Sequence, residues 1–116
     1  MSSIPATRDK RAVGGLCPRF HRAVELIGRR WTGAILRTLM ARPLRFNELL
    51  SAIPGISDRL LTERLRELET EEILIREVQA GSPVRVSYRL TERGSQLEPV
   101  MRELGIWAER WIGAGQ

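Results

Sequence analysis

Two residue types that build covalent or metal-bound frameworks are almost missing from this 116-residue chain, which has one cysteine and one histidine. A single cysteine excludes an internal disulfide and an all-cysteine metal site. Three roles remain for Cys17: a residue packed in the core, a free reactive thiol, or one half of a disulfide between two chains. We expect no metal and no cofactor.

The chain also lacks a long apolar run. No stretch of 18 or more apolar residues exists, so a transmembrane helix is not expected. Residues 1–16 are polar and contain glycine, and without an apolar segment they do not resemble a signal peptide. We therefore expect a cytoplasmic protein with a flexible N-terminal arm over residues 1–16, followed by one domain over residues 17–113.

Lysine is nearly absent as well, because 18 of the 19 basic residues are arginine, and the formal net charge is +5. The charge is uneven: residues 1–46 carry ten basic and two acidic side chains, and residues 47–116 carry nine and twelve. This balance suits a polyanionic partner such as a nucleic acid. The alternative is an ordinary solvated surface in a protein that uses arginine in place of lysine.

Two helices are predicted in the first part of the domain. The first begins at Pro18, where the missing N–H costs nothing, and ends at Gly28. The second extends from Thr32 to Met40 and stops before Pro43. Apolar residues recur at helical spacing in both, which predicts that each packs one side against a core.

The segment "FNELLSAIPGISDRLLTERLRELE" predicts a helix-turn-helix. Asn47 to Ile53 form a short helix, and Pro54-Gly55 ends it. Ser57 is suited to cap the next helix, and Ile56 before it can pack on Leu61 as a hydrophobic staple. Two helices joined by a short turn containing glycine make this motif.

The second helix of this pair has two unlike faces. At about 100° per residue, its leucines fall on one side, namely Leu61, Leu65 and Leu68. The opposite side presents Arg59, Thr62, Glu63 and Arg66. On an isolated helix this would merely be the solvated face. After a helix-turn-helix break and a serine cap, whose backbone N–H groups can meet phosphate, we expect it to contact DNA.

A β-hairpin follows, with "LIREVQA" (74–80) and "VRVSYRL" (84–90) separated by "GSP". The second strand alternates apolar residues with polar ones, so one face is expected to pack; the apolar positions are Val84, Val86, Tyr88 and Leu90. A hairpin placed directly after a recognition helix is the wing of a winged helix. An ordinary hairpin that covers the core is compatible with the same pattern.

The last segment, about residues 91–113, is predicted to be helical, with Thr91 as N-cap and a kink or a break at Pro99. Its apolar stripe ends in two tryptophans, more apolar surface than a small domain needs at its end. We expect it to be a dimerisation helix, through Leu97, Val100, Met101, Leu104, Trp107 and Trp111. The alternative is that it only folds back on its own core.

With these elements in place, the chain resembles the HxlR-type transcriptional regulators, a winged-helix branch related to the MarR group. The resemblance rests on "CPRFHRAVELIGRRWTGAILRTL", "RFNELLSAIPGISDRLLTERLRELE" and "VSYRLTERG", in family order. It implies a mainly α-helical fold with a small antiparallel β-hairpin (α+β): helix-turn-helix at about 45–70, wing at about 74–90, and dimerisation by the terminal helices. It also implies a cytoplasmic homodimer that binds DNA, regulates a nearby operon and has no catalytic activity.

In that reading, two copies of the helix after Ser57 enter successive major grooves of a roughly palindromic operator. We expect Arg59 and Arg66 to contact base edges or phosphates, and Thr62 a thymine methyl or a phosphate. The remaining expected DNA contacts are to the backbone or the minor groove, from Arg45, Asn47, Ser57 and Arg85. Glu63 is expected to pair with Arg59 or Arg66. Repression is expected rather than activation.

Two rival functions come from other classes. An enzyme would need more than His21 four residues after Cys17, because we find no acidic partner to orient the imidazole and no glycine-rich phosphate loop. A winged helix used for protein or RNA contact fits the same elements and remains open.

Cys17 stands directly before Pro18, at the expected N-cap of the first helix. The helix dipole, Arg19 and Arg22 would each favour the thiolate, the form that reacts with oxidants and electrophiles. The resemblance implies that this cysteine senses oxidants or electrophiles in some members, by thiol modification or by a disulfide between subunits. A small buried residue at the helix start is the alternative. A small-molecule inducer is equally open.

Overall fold

The structure is a computed structural model that describes residues 17–113, so the expected N-terminal arm lies outside the described residues. Within them the chain folds into six helices and three strands. In chain order these are α1 (Pro18–Ile27), α2 (Thr32–Leu39), β1 (Leu44–Arg45), α3 (Phe46–Ala52), α4 (Asp58–Thr70), β2 (Leu74–Gln79), β3 (Arg85–Leu90), α5 (Glu92–Ser95) and α6 (Glu98–Trp111). The predicted winged helix-turn-helix is confirmed: α3 and α4 form the motif, and β2 and β3 form the wing.

The sheet has one strand more than the predicted hairpin. Its order is β1-β3-β2, and both pairings are antiparallel. In β1, Leu44 lies opposite Tyr88 and Arg45 opposite Ser87. A strand of two residues is too short to show an alternating pattern, so only its tertiary pairing defines it. Its effect is to fix the start of α3 against the wing.

The core lies between the helix-turn-helix and the helices that flank it. The predicted inner face of α4 is buried, with Leu61, Leu65 and Leu68 all at most 2% exposed. Ile56 and Leu61, the expected staple, both belong to the core. The buried cluster also includes Ile35, Leu36, Leu39, Leu44, Leu49, Ile53, Ile73, Leu74 and Met101.

Two glycines are required, one by its backbone conformation and one by a close contact. Gly55, in the turn between α3 and α4, has φ +94°, and a Cβ there would stand 3.4 Å from the Trp31 ring. A Cβ on Gly94, in α5, would lie 2.1 Å from the Ile73 carbonyl oxygen, which is closer than atoms can approach. A side chain at Gly55 would therefore strain the turn before α4, and one at Gly94 would displace the backbone at Ile73, directly after α4.

The last segment is broken into α5 and α6 rather than kinked. Thr91 caps α5 as predicted, because its Oγ1 accepts from the Gly94 N–H at 3.1 Å. The same hydroxyl donates to the Glu72 carbonyl oxygen at 2.6 Å, which ties α5 to the turn after α4. Pro99 lies in the first turn of α6, where its missing N–H breaks no helical hydrogen bond.

The apolar stripe of α6 divides into two adjacent faces. Met101 is 6% exposed and Leu97 is half-buried against the core, so these two predicted dimer residues pack within their own chain. The other four predicted positions are exposed, namely Val100, Leu104, Trp107 and Trp111. The fold-back alternative therefore holds for Leu97 and Met101, and the expectation of a dimer contact is confined to the four exposed positions.

Candidate nucleic-acid interface

The start of α4 is open to solvent and carries its predicted cap. Ser57 Oγ accepts from the Leu60 N–H at 3.1 Å, and Asp58 lies in the first turn, where the helix dipole favours a negative charge. Ser57, Asp58 and Arg59 are all exposed. The first turn of the helix can therefore approach a ligand without a rearrangement of the backbone.

The predicted DNA face of α4 borders a wide cleft. Arg59 and Arg66 are exposed and Thr62 is half-buried, and all three line a cleft of about 850 Å³ between α4 and the end of α1. On the side of α1 the cleft is closed by Leu26 and Arg29. The structure thus brings these three predicted residues together on one surface.

Glu63 pairs with an arginine, but with a different one from those we expected. Its Oε1 lies 3.3 Å from Nη1 of Arg64. The expectation that it would pair with Arg59 or Arg66 is wrong. The pair joins the buried side chain of Arg64 to the half-exposed side chain of Glu63.

Arg64 is a functional candidate that the sequence reasoning missed. It is 7% exposed, and its Nε donates to the Arg30 carbonyl oxygen at 2.9 Å. Its Nη1 also lies 3.3 Å from Glu67 Oε2, and Glu67 in turn lies 3.4 Å from Arg29. Arg64 therefore ties α4 to the turn between α1 and α2.

Arg76 is a second missed residue. It lies in β2 opposite Tyr88 of β3, and the two side chains line a cleft of about 430 Å³ together with Thr62 and Arg66. The predicted DNA face of α4 therefore adjoins the wing. Arg76 breaks the apolar start of β2, and that break was the signal available in the sequence.

Three of the four residues predicted to contact the DNA backbone or the minor groove line a third cleft, of about 470 Å³, and Ser57 does not. Arg45 and Asn47 line it from the start of α3, and Arg85 lines it from the wing. The pKa of the Glu48 carboxyl is lowered, chiefly because it accepts the Arg45 N–H at 2.8 Å, and further by the charges of Arg42 and Arg45. Glu48 therefore stays ionised and fixes the start of α3.

One strand prediction needs correction. Val84, expected on the packed face of the wing, is 60% exposed, and Val78 of β2 is 56% exposed. Both lie near the tip of the hairpin, beyond the reach of the core. Farther from the tip, Arg89 pairs with Glu77 across the two strands at 2.7 Å.

Cys17 is the N-cap residue of α1, as predicted, and is half-buried directly before Pro18. Its side chain makes no capping hydrogen bond. His21, one turn later, lies 3.4 Å from Glu25, so the expectation that no acidic group would lie near this imidazole is wrong. Both side chains are more than half exposed, which makes the pair a solvated contact on the outer side of α1.

Between residues 17 and 113 no group of three or more histidine, cysteine, aspartate and glutamate side chains is arranged to hold a metal ion. None of the helices in that range has both the length and the apolar character needed to cross a lipid bilayer.

The model of the HxlR-like helix-turn-helix family matches residues 26–116. The HTH-type transcriptional regulator YodB of Bacillus subtilis (strain 168) is 44% identical over 100 residues, 86% of this chain and 89% of that protein. The uncharacterized HTH-type transcriptional regulator YvaP of the same organism is 42% identical over 97 residues, 84% of this chain and 90% of that protein.

Solved structures agree with these relatives. The reduced form of YodB from B. subtilis superimposes with a TM-score of 0.77 at 44% identity, covering 87% of this chain and 99% of that one. YodB has also been solved in diamide-treated and quinone-bound forms. The oxidized form of the redox regulator HypR superimposes with a TM-score of 0.78 at 37% identity, covering 84% of this chain and 100% of that one. The chain therefore belongs to the HxlR-like helix-turn-helix family of transcriptional regulators.

Proposed function

We propose that this regulator is a homodimeric repressor that binds a roughly palindromic operator near the operon it controls. The observation that carries the proposal is that four exposed arginines, Arg59 and Arg66 of α4 and Arg76 and Arg85 of the wing, line clefts along these two elements. Arg59 and Arg66 would enter the major groove, and Arg76 and Arg85 would contact the flanking phosphates or the minor groove. Family membership, which implies DNA binding, supports the same assignment.

The two half-sites require two copies of α4. Exposed apolar side chains on α1 and α6 supply a surface for a second copy, with Phe20 61%, Leu104 57% and Trp111 68% exposed. No residue of α1 is fully buried in the single chain, although the helix is amphipathic. We therefore assign the dimer contact to Phe20 and Val24 of α1 and to Val100, Leu104, Trp107 and Trp111 of α6.

The recognition role is tested by replacing Arg66 with alanine. Loss of a bidentate contact to a guanine should weaken binding to the cognate operator by about 1 to 3 kcal/mol, and binding to random DNA by less. Fluorescence anisotropy on both DNAs at one salt concentration gives the two affinities. Arg59→Ala should behave similarly, and Arg102→Ala, which removes an exposed arginine from α6, should change neither affinity appreciably.

Equal losses on cognate and random DNA would reduce Arg66 to a phosphate contact. The operator reading itself is tested by a gel shift with the chain's own upstream region. If scrambled DNA competes as well as that region at moderate salt, the alternative of a winged helix that contacts protein or RNA replaces it.

We further propose that Cys17 switches DNA binding when it is oxidised or alkylated. The thiol stands at the positive end of α1, beside Arg19, which favours the thiolate. YodB, which is 44% identical to this chain over the aligned residues, has been solved in diamide-treated and quinone-bound forms. A change at the start of α1 can reach the second subunit through Phe20 and Val24.

Treatment with diamide or a quinone should weaken operator binding of the native protein and leave a Cys17→Ser variant unaffected. Binding curves for both proteins, before treatment, after it and after reduction with dithiothreitol, provide the measurement. If both lose binding to the same extent, or neither loses any, the sensing role is rejected.

A further inference from the structure

The first residue of α4, Asp58, lies beside the predicted DNA face although its charge is negative. It is exposed and lines the same cleft as Arg59, Thr62 and Arg66. At about 100° per residue, these four side chains lie within an arc of about 100° around the helix. In a helix-turn-helix, the N-terminal residues of the second helix contact the base edges. Asp58 is therefore placed to meet the same bases as Arg59.

The carboxylate of Asp58 has no ion-pair partner among residues 17–113. By contrast, the carboxylate of Glu63, on the same helix, lies 3.3 Å from Nη1 of Arg64. The side-chain cap of α4 is supplied by Ser57, whose Oγ accepts from the Leu60 N–H. The carboxylate of Asp58 is therefore available to accept a hydrogen bond from a ligand of α4.

A carboxylate at this position is selective because most groups of DNA repel it. The phosphates are negative, and in the major groove guanine N7, guanine O6 and thymine O4 are all hydrogen-bond acceptors. The amino groups of cytosine and adenine are the donors in that groove, and adenine also presents the acceptor N7. Cytosine is therefore the base whose major-groove edge suits a carboxylate best.

We infer that Asp58 determines operator specificity by accepting a hydrogen bond from the N4 amino group of a cytosine in each half-site. Thymine at that position would place O4 against the carboxylate, and guanine would place O6 there, so both bases are rejected. Adenine keeps a donor and is rejected less strongly. The inference rests on the proposed function and deepens it: Arg59 and Arg66 supply the attraction to DNA, and Asp58 lowers the affinity for DNA that lacks the cytosine.

Selection from a random DNA library tests the inference with the full chain. The native protein should enrich a motif of two half-sites, each with one position at which cytosine is preferred and thymine and guanine are depleted. An Asp58→Asn variant should change the preference at that position alone, toward adenine, because an asparagine amide matches adenine N6 and N7. Glu63→Gln is the matched control: it removes the same charge from the same helix, but from a side chain that is paired with Arg64. It should enrich the native motif.

Fluorescence anisotropy on the selected site measures the size of the effect. Replacement of the cytosine by thymine, with its paired guanine replaced by adenine, should weaken binding of the native protein about tenfold. The same replacement should weaken binding of an Asp58→Ala variant less than about twofold. If Asp58 only stabilised the start of α4, the variant would lose affinity for both DNAs equally and keep the native ratio between them.

The outcomes separate the inference from the proposed function. If the native and Asp58→Asn proteins enrich the same motif at every position, the inference is overturned and operator binding stands. The inference is also overturned if Glu63→Gln, and not Asp58→Asn, changes the cytosine position. If the native protein enriches no motif, the proposed operator binding fails, and the inference that rests on it fails too.

Discussion

An Arg64→Ala variant is expected to lower the free energy of unfolding by about 3 kcal/mol, although arginine is usually a surface residue. The substitution removes the donor to the Arg30 carbonyl and both contacts to the glutamates of α4. It also leaves a space beside the core, because the side chain is 92% buried. The stabilisation is structural, so we expect the loss even when no DNA is present.

The turn held by Arg64 needs such support. Trp31, next to Arg30, has φ +78°, a left-handed conformation that costs a residue other than glycine about 1 to 3 kcal/mol. The contact of its ring with the glycine of the helix-turn-helix also depends on that conformation. Loss of Arg64 should therefore loosen two contacts of this turn: the one with α4 and the one between Trp31 and Gly55 of the helix-turn-helix.

Urea denaturation measures the effect, with all variants at one protein concentration because a dimer's apparent stability depends on it. Arg66→Ala is the matched control: it lies on the same helix two residues later, but on the exposed face, and should change stability by less than about 0.5 kcal/mol. The pair thus separates a residue that positions α4 from one that is proposed to contact DNA. Similar midpoints for the two variants would refute the structural role of Arg64.

The helices and their ends could be predicted from the sequence because their signals are local. Ser57 and Thr91 cap α4 and α5 as expected, and Pro18 begins α1. The inner face of α4 was predicted from the helical spacing of three leucines, and all three are buried. Each of these inferences needs only neighbours within about one or two turns of the chain.

The features that escaped prediction depend on distant parts of the chain. β1 exists only through its pairing with Tyr88 and Ser87, more than 40 residues later. Arg64 is charged, so its residue type pointed to the surface, and only the Arg30 carbonyl 34 residues away explains its burial. Arg76 lies beside Thr62 and Arg66 of α4 because the wing returns next to that helix.

In the C-terminal helix α6, one feature could be predicted from local spacing and another depends on distant parts of the chain. Its apolar stripe was predicted from helical spacing, but periodicity alone does not tell which positions face the core. At about 100° per residue, Leu97 and Met101 are centred on one direction and Leu104 and Trp107 on a direction nearly a quarter-turn away. The structure assigns the first pair to the chain's own core and leaves the second pair exposed.

That division gives the last prediction: a Leu104→Glu variant should be monomeric and should bind the operator at least about a hundredfold more weakly. Leu104 is 57% exposed in the single chain, so a glutamate there costs its own fold little. Between two subunits the same carboxylate would be buried without a partner, which is strongly unfavourable. A monomer engages one half-site and loses the factor of roughly 10² to 10⁴ that linkage of two binding modules provides.

Sedimentation equilibrium determines the oligomeric state, and anisotropy on the full operator and on a single half-site determines both affinities. Val84→Glu is the matched control for assembly. It introduces the same charge at a position that is similarly exposed, at 60%, but that lies on the wing. It should remain dimeric. A Leu104→Glu protein that also remains dimeric would move the interface to another surface. If the Leu104→Glu protein is monomeric but keeps full operator affinity, binding to a single half-site accounts for that affinity. Dimerisation through α6 is then not needed for operator binding.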